Sequence, residues 1–219
     1  MDKKSKLKHT FTRVWRFFWH DDSIASWLVN MAVAFVLIYF VVYPVLGAVL
    51  GTNFPIVAVL SESMQHYPFQ ENICGQNVES ATWKDSFDNY WDLCGYWYIQ
   101  YNITKDQFKN FHLSNGFNKG DVIILSRASN IKVGDVLIFQ GSRPQPIIHR
   151  VVKVYEANNQ TYYQTKGDHN GESITGSLGE TKIGTERLLG KGAVRLPYLG
   201  WVKIIFVDLM SLIGIQITR

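Results

Sequence analysis

Two serines, Ser61 and Ser63, stand two residues apart in the stretch VAVLSESMQHYPF at 57–69. In an extended segment that spacing puts both hydroxyls on one face and turns Glu62 to the other. A serine nucleophile needs a base to take its proton, a group to orient the base, and donors to hold the oxyanion. The chain offers a base at His149, in PIIHRVVKV, where alternation puts the imidazole on the face of Ile147 and Val151. An imidazole titrates close to neutrality, which suits general base work. An orienting carboxylate is available at Asp168, in QTKGDHN. Each residue also has a plainer reading: hydroxyls ending a strand, a core histidine, and a Gly-Asp turn. His66 is a second candidate base, but three residues from Ser63 an extended chain has difficulty folding the ring back. His66, His112, His149 and His169 show no short ligand spacing such as H-E-x-x-H, so neither metal nor cofactor is expected.

These residues need elements to position them. From Gly120 onward short β-branched runs alternate with Gly-Asp turns: KGDVIILS, VGDVLIFQ, IIHRVVKVYE, QTYYQTKGD and KGAVRLP. They read as strands joined by tight turns, with PIVAVLS at 55–61 as a first strand, so the domain is expected to be mainly β, a compact barrel or folded sheet. Residues 65–119 hold 13 aromatics, Cys74 and Cys94, and no clear alternation. Fifty-odd residues do not make a structureless loop in a compact domain, so this segment reads as an inserted cap whose aromatics either pack a core of its own, the favoured reading, or line a surface for substrate or a partner.

Ahead of that domain lies WLVNMAVAFVLIYFVVYPVLGAVL, 27–50, without a charged residue. It is long enough to span about 30 Å of hydrocarbon. A cleaved signal peptide has a shorter apolar core, so the segment reads as a retained transmembrane anchor. Lys3, Lys4, Lys6, Lys8, Arg13 and Arg16 precede it, and no charge follows until Glu62. The positive-inside rule then puts 1–26 in the cytoplasm and everything after Leu50 outside. FTRVWRFFWH, at 11–20, suits an anionic headgroup region. The formal charge of +4 thus belongs mostly to a membrane flank, and nucleic acid is not an expected partner. Outside the cytoplasm Cys74 and Cys94 are free to pair, and closing that loop stabilises by about 3 kcal/mol. The sequons NIT at Asn102 and NQT at Asn159 lie on the same side. The tail at 198–219 is apolar but carries Lys203 and Asp208, which favours a membrane-associated helix over a second span.

In order, an N-terminal anchor, SESM, GDVIIL, GDVLIF, HRV, TKGD and GKGAVRLPYLGWV resemble the type I signal peptidases, and most closely the archaeal and endoplasmic-reticulum branch, in which histidine replaces the bacterial lysine. The resemblance covers the anchor, 57–64 and 120–202, and leaves the cap and the last residues unmatched. It implies a serine endopeptidase held by one span in the cell membrane, or in the endoplasmic reticulum membrane of a eukaryote. Its partners would be the bilayer, the signal peptides of secretory preproteins, cut after small residues, and the translocation machinery. Ser63 would be the nucleophile, His149 the base and Asp168 the third group, with Ser61 and the Ser63 N–H at the oxyanion. The chain departs from the family where Glu62 and His66 replace a glycine and a proline. It departs again where relatives carry a second aspartate, a position held here by Ile174. Glu172, Ser173 and Asp168 are the substitutes the sequence offers, and Asp168 is preferred.

Overall fold

The computed structural model describes residues 12–13, 15–176 and 178–212. Lys3, Lys4, Lys6, Lys8, Phe11 and the end of the tail, 213–219, lie outside the described residues. The chain divides into two units, one ending at Val49 and one beginning at Leu50.

In the first unit the apolar run forms a helix, α1, over Ile24–Leu50, long and apolar enough to cross a membrane. The Ser23 hydroxyl caps it by accepting from the Ser26 N–H, and Ser26 Oγ donates back to the Phe17 carbonyl at 2.6 Å. Ile38–Val42 is a π turn, in which the Tyr43 N–H reaches the Ile38 carbonyl. Pro44 follows at once, and its ring would crowd the carbonyl four residues back, so the wider turn relieves the clash without ending the helix.

The second unit is built on a six-stranded antiparallel sheet in the order β1-β4-β8-β5-β6-β7. The strands are β1 (Ile56–Ala58), β4 (Val122–Ser126), β5 (Val136–Phe139), β6 (Ile147–Ala157), β7 (Gln160–Lys166) and β8 (Leu188–Leu196). All five runs read after Gly120 are strands. The first strand is shorter than expected, because β1 stops at Ala58 and the chain bends at Ser61. β5 is buried on both faces: Val136 and Ile138 join Val59, Met64, Phe117, Ile123 and Leu125, while Leu137 and Phe139 join Val151, Tyr163 and Ile183. That explains its run of apolar residues without polar alternation.

The cap holds a small hairpin, β2 (Asn72–Ile73) with β3 (Gln76–Asn77), and two helices, α2 (Phe87–Ile99) and α3 (Lys105–Lys109). Ser86 caps α2, and Thr104 with Gln107 forms a capping box on α3. A disulfide joins Cys74 to Cys94. The aromatics pack a core of the cap's own, Tyr90, Trp91, Tyr98 and Phe108 with Ile73 and Ile103, to which β6 adds Val152. After β8 a last helix, α4 (Trp201–Leu212), buries Ile204 and Val207. Gly120, at φ +87°, lets it dock: a Cβ there would lie 2.1 Å from Trp201 Nε1.

Candidate active site

The nucleophile segment is fixed by its main chain. Beyond β1 the Val59 N–H still reaches the Asp121 carbonyl at 2.9 Å; then the chain turns, and Met64 is buried. The Ser63 carbonyl accepts from the His169 N–H at 2.9 Å, and the Met64 carbonyl accepts from the Phe117 N–H at 3.1 Å. With both neighbours held, Ser61 Oγ and Ser63 Oγ lie 3.2 Å apart at the surface. The two hydroxyls share a face as the spacing implied, although a turn brings them together.

β6 presents His149, nearly buried, and its Nδ1 pairs with Glu180 Oε1. Glu180 is fully buried. Its Oε1 also accepts from Thr165 Oγ1 at 2.9 Å, and its Oε2 from the Ile174 N–H at 2.7 Å. A carboxylate only accepts, so the shared proton sits on Nδ1 and Nε2 is left as the basic nitrogen. That nitrogen and the Ser63 carbonyl oxygen both border Gly167. A Cβ on Gly167 would come within 2.8 Å of His149 Nε2 and 2.7 Å of the Ser63 carbonyl oxygen. Only a residue without a side chain lets the two groups approach this closely.

The carboxylate on His149 is therefore Glu180, and the expectation that Asp168 would orient the imidazole is corrected. Asp168 serves the neighbouring residue. Alternation along β6 turns Arg150 to the opposite face from His149, and a fully buried guanidinium requires a counter-charge. Arg150 Nη2 donates to Asp168 Oδ2 at 2.7 Å and Nε to Oδ1 at 2.9 Å. The rest of the guanidinium donates to the carbonyls of His112, Leu113 and Gly134. Tyr98 Oη donates to Asp168 Oδ1 at 2.9 Å, and His66 Nε2 to Oδ2 at 2.9 Å. Burial alone would raise the Asp168 carboxyl, but Arg150 and His66 outweigh it and hold it well below the usual carboxylate range. Burial lowers His66, so its ring is neutral at neutral pH, and it stacks on Tyr90 with centroids 3.7 Å apart. His66 is thus a donor inside the cap rather than a base on Ser63.

Glu172 is exposed, and Ser173 Oγ donates to the Thr165 carbonyl at 2.7 Å. Neither reaches His149. At Ile174, where the family resemblance leads one to expect an aspartate, the main-chain N–H donates to the glutamate six residues later. Two residues were missed from the sequence. Arg150 had a usable signal, an interior-facing charge beside His149. Glu180 had none beyond the requirement for a carboxylate, since it sits in the irregular stretch GSLGETKIG.

Ser61, Ser63 and His149 open onto a cleft of about 1190 Å³. β1 forms one wall, residues 140–148 another, and Lys203, Ile204 and Val207 of α4 a third. β1 is an edge strand, paired only with β4, so its other edge is free to bind an extended chain. Among the described residues, no group of three or more His, Cys, Asp or Glu side chains is placed to hold a metal ion.

No protein-family model matches the chain. Curated relatives do. The Signal peptidase complex catalytic subunit SEC11C of Homo sapiens is 36% identical over 98 residues, 42% of this chain and 51% of the relative. The Signal peptidase complex catalytic subunit sec11 of Schizosaccharomyces pombe is 37% identical over 84 residues, 36% of this chain and 44% of its own. SEC11 of Candida tropicalis, which bears the same description, is 31% identical over 97 residues, covering 42% and 58%. The chain spans about half the length of the curated relatives it matches. Over that stretch the chain is similar to proteins described as catalytic subunits of signal peptidase complexes.

Proposed function

We propose that this chain is a membrane-anchored serine endopeptidase that removes N-terminal signal peptides from translocated preproteins, cutting after small residues outside the cytoplasm. The observation that carries the reading is the pairing of His149 Nδ1 with buried Glu180, which leaves Nε2 bordering Gly167 together with the Ser63 carbonyl oxygen. A domain that only bound peptides would gain nothing from a buried carboxylate spent on one imidazole.

Ser63 Oγ attacks the scissile carbonyl while His149 Nε2 takes its proton. Glu180 holds the ring and stabilises the imidazolium. Ser61 Oγ and the Ser63 N–H donate to the oxyanion as charge develops on the carbonyl oxygen. His149 then protonates the leaving amine, and a water, deprotonated by the same nitrogen, hydrolyses the acyl-enzyme. The substrate lies extended along the free edge of β1, where main-chain hydrogen bonds fix its register and shallow pockets select small side chains. The relatives are named as subunits of a complex, and association with further membrane subunits and the translocation machinery belongs to the same reading.

The test is cleavage of a purified preprotein by the full-length protein in detergent. Wild type should release the signal peptide, and Ser63→Ala should not, with an unchanged melting curve. Full activity in Ser63→Ala, or a wild type that binds the preprotein without cutting it, would overturn the reading.

A further inference from the structure

The cap at 65–119 leaves the chain directly after Ser63 and Met64, and its contacts converge on one short turn, 167–170, at the end of β7. That turn is where the site is assembled: its Gly167 lies against both Ser63 and His149, and its His169 N–H holds the Ser63 carbonyl. Arg150 of β6 and Lys166 of β7 hold this turn from within the sheet, and the cap adds a second set of contacts. The Cys74 N–H donates to the His169 carbonyl at 2.8 Å. Tyr90 Oη donates to the Asp168 carbonyl at 3.0 Å, and Tyr98 Oη and His66 Nε2 reach the two oxygens of its carboxylate. Tyr90, Cys94 and Tyr98 are spaced by four on α2, so one helix face carries both phenols and the disulfide partner of Cys74. Burial, with the Asp168 charge second, pushes both phenols well up, so each keeps its proton and donates. The two residues of the turn that bracket the contact with Ser63, Asp168 and His169, are thus each anchored to the cap.

We infer that the cap is a positioning element of the catalytic site, in which Tyr98, Tyr90, His66 and the Cys74–Cys94 disulfide hold the 167–170 turn and, through it, the approach of His149 to Ser63. The inference rests on the proposed serine chemistry. It gives the cap a different role from that of a substrate lid, since a lid would act mainly on substrate affinity. It also accounts for His66: where the family resemblance leads one to expect a proline, this chain needs a donor that reaches the Asp168 carboxylate. It further makes the site sensitive to an added dithiol, which by thiol–disulfide exchange would be oxidised as it frees Cys74, the cap's only link to the His169 carbonyl in the described residues, from Cys94 of α2.

The experiment is carried out on the full-length protein with preprotein cleavage and with a fluorophosphonate, whose phosphorus the reactive serine attacks with loss of fluoride to form a phosphonyl-serine. Tyr98→Phe removes one hydroxyl, and Cys74→Ser with Cys94→Ser removes the staple. Each should lower kcat and the labelling rate together by about tenfold or more, with KM within twofold, as displacement of a reacting group by a fraction of an ångström does. The amplitude of labelling, which counts folded sites, should stay at the wild-type level, a readout that simple unfolding would reduce. His66→Leu should behave like Tyr98→Phe, and His66→Gln, which keeps a donor toward Asp168, should recover most of the rate. Unchanged kcat in both Tyr98→Phe and the double serine variant would overturn the inference. So would a rate loss matched by an equal loss of labelling amplitude. A wild type that neither cleaves nor labels would overturn the proposed function instead.

Discussion

Glu180→Gln is the substitution that separates the two carboxylates near the site. Glu180 accepts at Oε1 from His149 and Thr165 and at Oε2 from the Ile174 N–H. A glutamine has one acceptor oxygen and one amide nitrogen for these positions. If the nitrogen faces Ile174, two donors confront each other. If it faces His149, it donates to Nδ1, moves the imidazole proton to Nε2 and removes the base from Ser63. The loss of the tautomer-fixing carboxylate in a serine triad costs about 10⁴ in kcat. The expected loss here is about 10³ to 10⁴, or roughly 4 to 5.5 kcal/mol of transition-state stabilisation. KM should change little. Asp168→Asn should instead act on stability, since it leaves Arg150 buried and uncompensated. That costs about 3 to 5 kcal/mol and lowers Tm on the order of 10 °C. The assay is kcat and KM for preprotein cleavage alongside a melting curve for both variants. If Glu180→Gln kept kcat within threefold, while Asp168→Asn lost a thousandfold at constant Tm, the roles assigned to the two acids would be wrong.

Other expectations follow from the same geometry. Ser61→Ala should lower kcat by about 10² to 10³ through loss of one oxyanion donor, and a change in KM alone would remove Ser61 from that role. Gly167→Ala places a Cβ 2.7 Å from the Ser63 carbonyl and 2.8 Å from His149 Nε2, so kcat should fall by about 10² while peptide binding persists. Retained kcat would show that the turn is free to yield. Stability should rise with pH on the alkaline side because of Lys166. Burial depresses its ammonium to about 8 in the folded chain, against about 10.4 unfolded, so between those values the unfolded chain binds more protons. The gain across that window is on the order of 3 kcal/mol, measured by denaturant unfolding at pH 7.5, 9 and 10.5. Lys166→Met should flatten the rise, and a flat wild-type profile would refute the assignment.

The sheet was legible because each strand after Gly120 is a run with β-branched residues flanked on one side by a Gly-Asp or Pro signal, and such runs have few alternatives to pairing. Ser61 and Ser63 were legible as a pair because their spacing survives the change from strand to turn. The acid proposed as the third member of the site was not. Its carboxylate arrives from an irregular stretch after β7, and no periodicity connects Glu180 with His149, because their meeting depends on how the chain from 167 to 187 folds back on β7. The more conspicuous acid, Asp168, was misread because its turn does lie against the site, through Gly167 and His169, while its carboxylate points to Arg150. Alternation along HRV already implied this: adjacent residues of one strand face opposite ways, so an imidazole and a guanidinium there require two separate acids.

That adjacency has a consequence for how activity is acquired during synthesis. A one-residue slip of β6 would exchange the imidazole and the guanidinium, and each would still meet an acid of opposite charge, so electrostatics alone is a poor guard against the error. The guard lies at the far end of the hairpin. Asn158 and Asn159, at φ +52° and +56°, form the two-residue turn that pairs Ala157 with Gln160, and one bulge between Val151 and Lys153 sets the remaining offset. Two asparagines that touch no part of the cleft thus decide whether a newly made chain carries a histidine or an arginine beside its serine. The register of one hairpin is thus set by residues remote from the side chains it places.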